Sequence, residues 1–220
     1  MDIQERLTAF AMLGAGWVMW LLVLLSVVGL AIVLERAYYM LSTRDDVRAL
    51  KDDLIKLLRK GDLEAAKKRL ARSKSFEARI LSAGLDASED GADSVEQRMA
   101  GESSLAKLNM ERNLAFLGTV GNNAPFVGLL GTVIGVIRAF HALDAGAGQV
   151  TSGLMSEIGE ALVATAIGIL VALPAVAFFN LFTRVIKGRL ARADALGRDL
   201  MAYLKSTNGT PPAAQPEPAE

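Results

Sequence analysis

The stretch Asn122-Asn-Ala-Pro-Phe-Val-Gly-Leu-Leu-Gly-Thr-Val-Ile-Gly-Val-Ile137 decides how this chain is read. It is uncharged and rich in glycine, yet it carries two asparagines, a proline and a threonine. It lies within a longer run, Asn113 to Ile137, that contains no Asp, Glu, Lys, Arg or His. At about 1.5 Å per helical residue, that run exceeds the roughly 30 Å hydrocarbon core of a bilayer. A helix facing only lipid has no need of glycine. Gly131 and Gly135 form a GxxxG pair, and Ala124, Gly128, Gly131 and Gly135 recur at helical spacing. One face is thus stripped of side chains, which predicts close approach of a neighbouring helix. Thr132 lies beside that strip and offers it a hydroxyl.

Working outward, two further uncharged runs, Leu7 to Leu34 and Ala161 to Thr183, are each long enough to cross a bilayer. The expected fold class is therefore all-α: a polytopic membrane protein with three transmembrane helices and a helical cytoplasmic domain. The first run follows a net acidic segment, is too long for a signal-peptide core and has no small-residue cleavage pattern, so it is expected to be a retained anchor. All but Arg6 and Arg138 of the 24 Lys and Arg residues fall in 36–112 or 184–220. The positive-inside rule then puts the N-terminus and the loop between the second and third spans outside, and the two basic segments in the cytoplasm. The expected segments are an outer N-terminal piece (1–12), the first span (13–35), the cytoplasmic domain (36–112), the second span (113–143), an outer turn (144–153), the third span (154–183), a helical extension (184–207) and a disordered Pro-rich tail (208–220). Trp17 and Trp20 mark the outer interface with lipid, and Tyr38 and Tyr39 the inner one.

Composition narrows the chemistry. With 24 acidic and 24 basic residues the net charge is zero, which argues against a nucleic-acid partner. There is no cysteine and a single histidine, His141, so neither thiol chemistry nor a His-rich metal site is expected, and no cofactor. The 36–112 segment reads as short amphipathic helices: Val47, Leu50, Leu54, Leu57 and Leu58 share a face, Gly61 stops the helix, and Asp62 caps the next. Phe76, Ile80, Leu81 and Leu85 predict a third helix, ending near Ser88-Glu-Asp-Gly91. A fourth pattern starts after Asp93 and meets no strong breaker until Gly118, which predicts one helix running unbroken into the second span. No glycine-rich phosphate loop is present, so an ATPase is not supported and energy must come from elsewhere.

Folding the second and third spans as an antiparallel hairpin about Gly148 pairs positions that sum to about 297, because both helices rise equally. Thr132 then lies level with Thr165, and Glu160 near Ile137 and Arg138. On the third span Ala161, Thr165, Gly168, Ala172 and Ala175 form a small-residue stripe that complements the strip on the second. Pro174 sits inside this helix and is expected to kink it or free carbonyls, which a membrane tolerates only where neighbours or water satisfy them. Between their charged ends the spans hold no titratable side chain. If Thr132 and Thr165 line a path for protons or sodium, a second protein must supply a carboxylate. The alternative is that they hydrogen-bond backbone carbonyls or bridge packed helices. Glu160 has two readings as well, an uptake or gating carboxylate at the outer mouth or an ion-pair partner of Arg138.

The segments Ala124-Pro-Phe-Val-Gly-Leu-Leu-Gly-Thr-Val-Ile-Gly135, Ile158-Gly-Glu-Ala-Leu-Val-Ala-Thr-Ala-Ile-Gly168 and Pro174-Ala-Val-Ala-Phe-Phe-Asn180 resemble the paired signature of the ExbB/TolQ/MotA proton-channel subunits. Gly16-Trp-Val-Met-Trp20 through Leu34-Glu-Arg36 resembles the ExbB branch in particular. The resemblance implies a ring of these subunits, a pentamer in the family, around membrane helices of an ExbD- or TolR-like single-span partner whose intramembrane Asp titrates. It implies that Thr132 and Thr165 face that Asp, that Glu160 is the family's glutamate opening the third span, and that Pro125, Pro174 and Asn180 hold motif positions. A TonB-like protein and membrane lipids are further expected partners. The implied activity is not enzymatic: proton motive force is converted into mechanical work at the outer membrane, for TonB-dependent transport, a Tol-type system or gliding. A passive scaffold and an autonomous ion channel are the competing classes.

Overall fold

The computed structural model describes residues 14–145 and 152–208. Among these residues all regular structure is helical: α1 (Gly16–Ser42), α2 (Val47–Arg59), α3 (Leu63–Ala71), α4 (Phe76–Asp86), a 3₁₀ turn (Ser88–Asp90), α5 (Ala92–Glu111), α6 (Leu114–Ala145) and α7 (Ser152–Asn208). The whole of the expected outer N-terminal piece, the middle of the expected outer turn and the Pro-rich tail after Asn208 lie outside the described residues. The chain divides into two compact units. One holds the chain up to Glu35 together with Asn113–Phe182, and the other holds Arg36–Arg112 together with the chain from Thr183 onward.

The first unit is built from the apolar parts of α1, α6 and α7, the three helices long and apolar enough to cross a membrane. Only 22 to 28% of their most apolar windows is buried within the chain, so most of that surface is left for lipid or for other membrane helices. Val18 and Leu22 of α1 are buried in a cluster with Val120, Ala124, Ile134, Val171, Ala172 and Ala175. Trp20, Leu24, Leu30, Phe126, Leu170 and Leu173 point outward. Pro125 lies inside α6 and Pro174 inside α7, and both helices continue past them. Each ring removes one N–H donor, freeing the carbonyls of Gly121 and Leu170 four residues earlier.

The second unit is a helical domain with conventional caps. Asp46 accepts from the amides of Arg48 and Ala49 at the start of α2. Gly61 turns the chain at φ +73°, which glycine adopts without steric cost. Asp62 and Ser75 then cap α3 and α4 through the amides of Ala65 and Ala78. The core gathers Leu50, Leu54, Leu58, Leu70, Phe76, Leu81, Leu85, Val95, Ile186 and Leu200, all nearly or fully buried.

One charged pair sits in this core. Arg189 of α7 donates from Nε and Nη2 to the two carboxylate oxygens of Glu77, at 3.2 and 3.0 Å. Its remaining donors reach the carbonyls of Met40 and Thr43 and the hydroxyl of Thr43. The guanidinium lies 4.8 Å from the ring centre of Phe76, which meets Tyr39 edge-on, and Arg36 covers Tyr39 and bonds the carbonyl of Asn109. One cation thus ties α7 to the end of α1 and the start of α4.

The structure corrects the expectation of one helix from Asp93 into the second span. α5 ends at Glu111, Arg112 is extended at φ −51° and ψ 133°, and Asn113 has φ +62°. Asn is among the few residues other than glycine that enter the left-handed region readily, so the chain breaks here without Gly or Pro. The amide of Phe116 bonds back to the carbonyl of Asn113, and α6 begins at Leu114.

Candidate functional site

In the first unit α6 and α7 meet glycine to backbone. A Cβ added at Gly128 would lie 2.7 Å from the carbonyl oxygen of Ala164 and 3.0 Å from Cα of Thr165. One added at Gly168 would lie 2.7 Å from the carbonyl oxygen of Ala124. Gly131 faces the methyl of Ala164 and Val18 of α1, and Gly135 faces Ala161. Ala172 is buried beside them. No larger residue at these positions permits the approach, so the small-residue strips bring the two main chains together.

That approach makes the threonine arrangement. The hydroxyls of Thr132 and Thr165 are in direct contact, and either can be the donor. Thr132 Oγ1 also reaches the carbonyls of Gly128 and Ala161, at 3.4 and 3.3 Å, and Thr165 Oγ1 reaches Gly128 O at 3.2 Å. Each hydroxyl has one hydrogen and two lone pairs, so these few protons serve more acceptors than they can satisfy at once. The hydrogen bonds can therefore be redistributed within the cluster. Both side chains are half-buried, so part of each stays exposed on the single chain. A hydroxyl pair passes a proton but does not hold one, so the cluster can relay or position and cannot by itself store charge.

The other expected residues fall outside this cluster. Pro125 is half-buried, and Pro174 and Asn180 are exposed. Glu160 is half-buried and makes no ion pair among the described residues. The reading of Glu160 as the partner of Arg138 is corrected: Arg138 Nη2 pairs with Glu157 Oε1 at 2.7 Å. Rotation about α7 explains the choice. The main chain of Glu157 faces α6, its carbonyl oxygen 3.2 Å from a Cβ placed on Gly135. Glu160, three residues on, is turned about 60° away. Gly14, at φ +89°, completes this end of the unit, for a Cβ there would lie 2.7 Å from Arg138 Nη1. Glu157, Gly14 and Ala164 were not singled out in the sequence. The pattern Glu157-Ile-Gly-Glu160 opposite a lone Arg was the available signal for the first. Elsewhere, in the second unit, a cleft of about 790 Å³ lies among Met99, Gly197, Met201 and neighbours on α5 and α7.

An all-α chain with three membrane-length helices, two of them joined through glycine strips around a threonine pair, is a multi-pass membrane protein whose polar contacts lie between spans. Residues 72–195 match the MotA/TolQ/ExbB proton channel family. The chain belongs to that family. It is similar to "Biopolymer transport protein ExbB" of Xanthomonas campestris, with 42% identity over 91 residues, 41% of this chain and 36% of the relative. It is similar also to "Tol-Pal system protein TolQ" of Haemophilus influenzae, with 47% identity over 73 residues, 33% and 32% of the two chains. A longer match, 32% identity over 161 residues, covers 71% of this chain and 76% of "Putative biopolymer transport protein ExbB-like 3" of Synechocystis. The matches to the ExbB proteins of Xanthomonas and to an ExbB-like protein of Helicobacter pylori span about a third to a half of those relatives.

Proposed function

We propose that this chain is the ring-forming subunit of an inner-membrane motor driven by protons. Around the single membrane helices of an ExbD/TolR-like partner it converts proton motive force into mechanical work at the outer membrane. The observation that carries the reading is the contact of Thr132 with Thr165 inside a glycine-lined helix pair, in a chain of the proton channel family. The exposed part of that pair faces the partner's intramembrane Asp. Protons arrive from outside past Glu160, protonate the Asp at the threonine layer and leave to the cytoplasm. Each transfer turns or shifts the partner within the ring. A proton crossing 100 mV supplies about 2.3 kcal/mol, so a working step that costs more than this draws on more than one. In this reading the basic segments 36–112 and 184–220 lie in the cytoplasm and the N-terminus outside, the arrangement the Lys/Arg asymmetry favours.

The motor serves TonB-dependent transport in this reading, consistent with the ExbB relatives. A Tol-type role is favoured by a different observation, the TolQ relatives at 43 and 47% identity. The passive-scaffold reading draws on the same hydroxyls, since both already bond main-chain carbonyls within one chain. Proton uptake into vesicles separates motor from scaffold. With the ExbD/TolR-like partner co-expressed, wild type takes up protons, and Thr165→Ala or Asp→Asn in the partner's membrane helix removes uptake from intact complexes. Assembled complexes whose flux and downstream work are unchanged by both substitutions would refute the motor.

A further inference from the structure

The Arg138–Glu157 ion pair closes the end of the first unit where α6 meets the start of α7, and nothing in the proton path proposed above uses it. Arg138 is the one cation between the second and third uncharged runs. It stands on α6 with two glutamates within a turn of each other on α7, and it engages the first, Glu157, at 2.7 Å. Both partners are largely covered, with 28 and 22% of their side chains exposed, so the pair is screened less than a surface one. The guanidinium is confined on a second side by Gly14, whose conformation at φ +89° leaves no room for a side chain against Nη1. The charged and titratable groups at this end, among the described residues, are Arg138, His141 and Asp144 on α6 and Glu157 and Glu160 on α7. The described part of α1 brings none here.

We infer that Glu157 is a positioning residue for proton uptake: by holding Arg138 it keeps the neighbouring Glu160 out of an ion pair and free to exchange protons. The inference rests on the proposed role of Glu160. Glu157 and Glu160 are three residues apart, adjacent on the helix surface. A guanidinium on a long, rotatable stem that loses Glu157 therefore has Glu160 as the next carboxylate in reach. Paired with Arg138, Glu160 has its oxygens taken up by the guanidinium and is no longer open to an arriving proton. Neutralising Arg138 as well removes the competitor and frees Glu160 again. The ion pair thus acts as a decoy that reserves one of two adjacent glutamates for transport.

The test is proton uptake by the complete complex with its ExbD/TolR-like partner in proteoliposomes, measured against external pH. Glu160→Gln and Thr165→Ala examine the underlying path. Glu157→Gln, Arg138→Gln and the Arg138→Gln/Glu157→Gln pair examine the decoy. The expected result is that Glu157→Gln lowers flux at neutral pH roughly ten- to a hundredfold, the worth of one charge-assisted hydrogen bond. Its half-maximal flux also moves to lower pH. The double variant brings both the rate and the pH profile back towards wild type. Glu157→Gln with unchanged flux, or a double variant as impaired as the single with no shift in pH profile, would overturn the inference. The second of these outcomes is what a mere latch between helices gives. If Glu160→Gln conducts like wild type, the path itself is wrong, and the inference falls with it.

Discussion

Replacing Glu77 by Gln tests what holds the second unit together. Glu77 is 1% exposed and meets Arg189, itself 5% exposed, through two parallel hydrogen bonds. The amide keeps the shape and one acceptor but removes the charge, leaving a guanidinium buried with no counter-ion. Breaking one side of such a pair costs about 3–5 kcal/mol. For a cooperative chain of this size 1 kcal/mol corresponds to roughly 2–4 °C in Tm, so Glu77→Gln should lower the melting transition by about 10 °C. Arg189→Met should cost at least as much, since the carbonyls of Met40 and Thr43 also lose a donor. The double substitution should cost clearly less than the sum of the two, because no unpaired charge is left behind. The assay is thermal unfolding of the detergent-solubilised protein followed by circular dichroism, with hydrogen exchange of α4 to locate the change. A shift below about 2 °C for Glu77→Gln, or strict additivity in the double variant, would refute the reasoning.

Gly128→Val drives a side chain into the main chain of α7 and should cost about 1–3 kcal/mol and disrupt the hairpin, whereas Gly159→Ala, which meets nothing within 4 Å, should leave it intact. Crosslinking of paired cysteines across α6 and α7 reads the difference. Gly14→Ala meets both an unfavourable φ and Arg138 Nη1, and should destabilise the start of α1 by about 1 kcal/mol or more; protease sensitivity near residue 14 is the readout. The Ser73 hydroxyl holds the Asp45 carboxyl below its ordinary value of 3.8 against a smaller desolvation effect. A lowered folded-state value gives stability that is present above 3.8 and lost as pH falls through the folded value. Ser73→Ala should therefore flatten the fall of Tm with pH below 3.8, and an unchanged slope would contradict the assignment.

Much of the membrane unit was legible because its rules are local. A run without charge long enough for a bilayer is a span whatever surrounds it: α6 and α7 take in the second run from Leu114 and the whole third run, and α1 takes in the first from Gly16 onward. Antiparallel helices of equal rise put Thr132 beside Thr165, and strips of Gly and Ala have little use except close contact. The caps at Asp62 and Gly61 obey equally local chemistry. Where local signals were weak, the reading failed. Arg112-Asn113 carries no Gly or Pro, and only the left-handed backbone of Asn113 ends the helix there. Arg138 had two glutamates within reach by level, and helix rotation chose Glu157.

The sequence by itself determined the number of spans, the faces by which two of them pack and the level at which their hydroxyls meet, since each follows from composition and helical period. Only the tertiary structure decided which charges are neutralised by which. Arg189 and Glu77 are 112 positions apart and look like ordinary surface charges in their own helices. Their pairing depends on how α1, α4 and α7 converge in the second unit. Helical period is a property of each segment, whereas an ion pair depends on two side-chain directions that only the packed helices bring together.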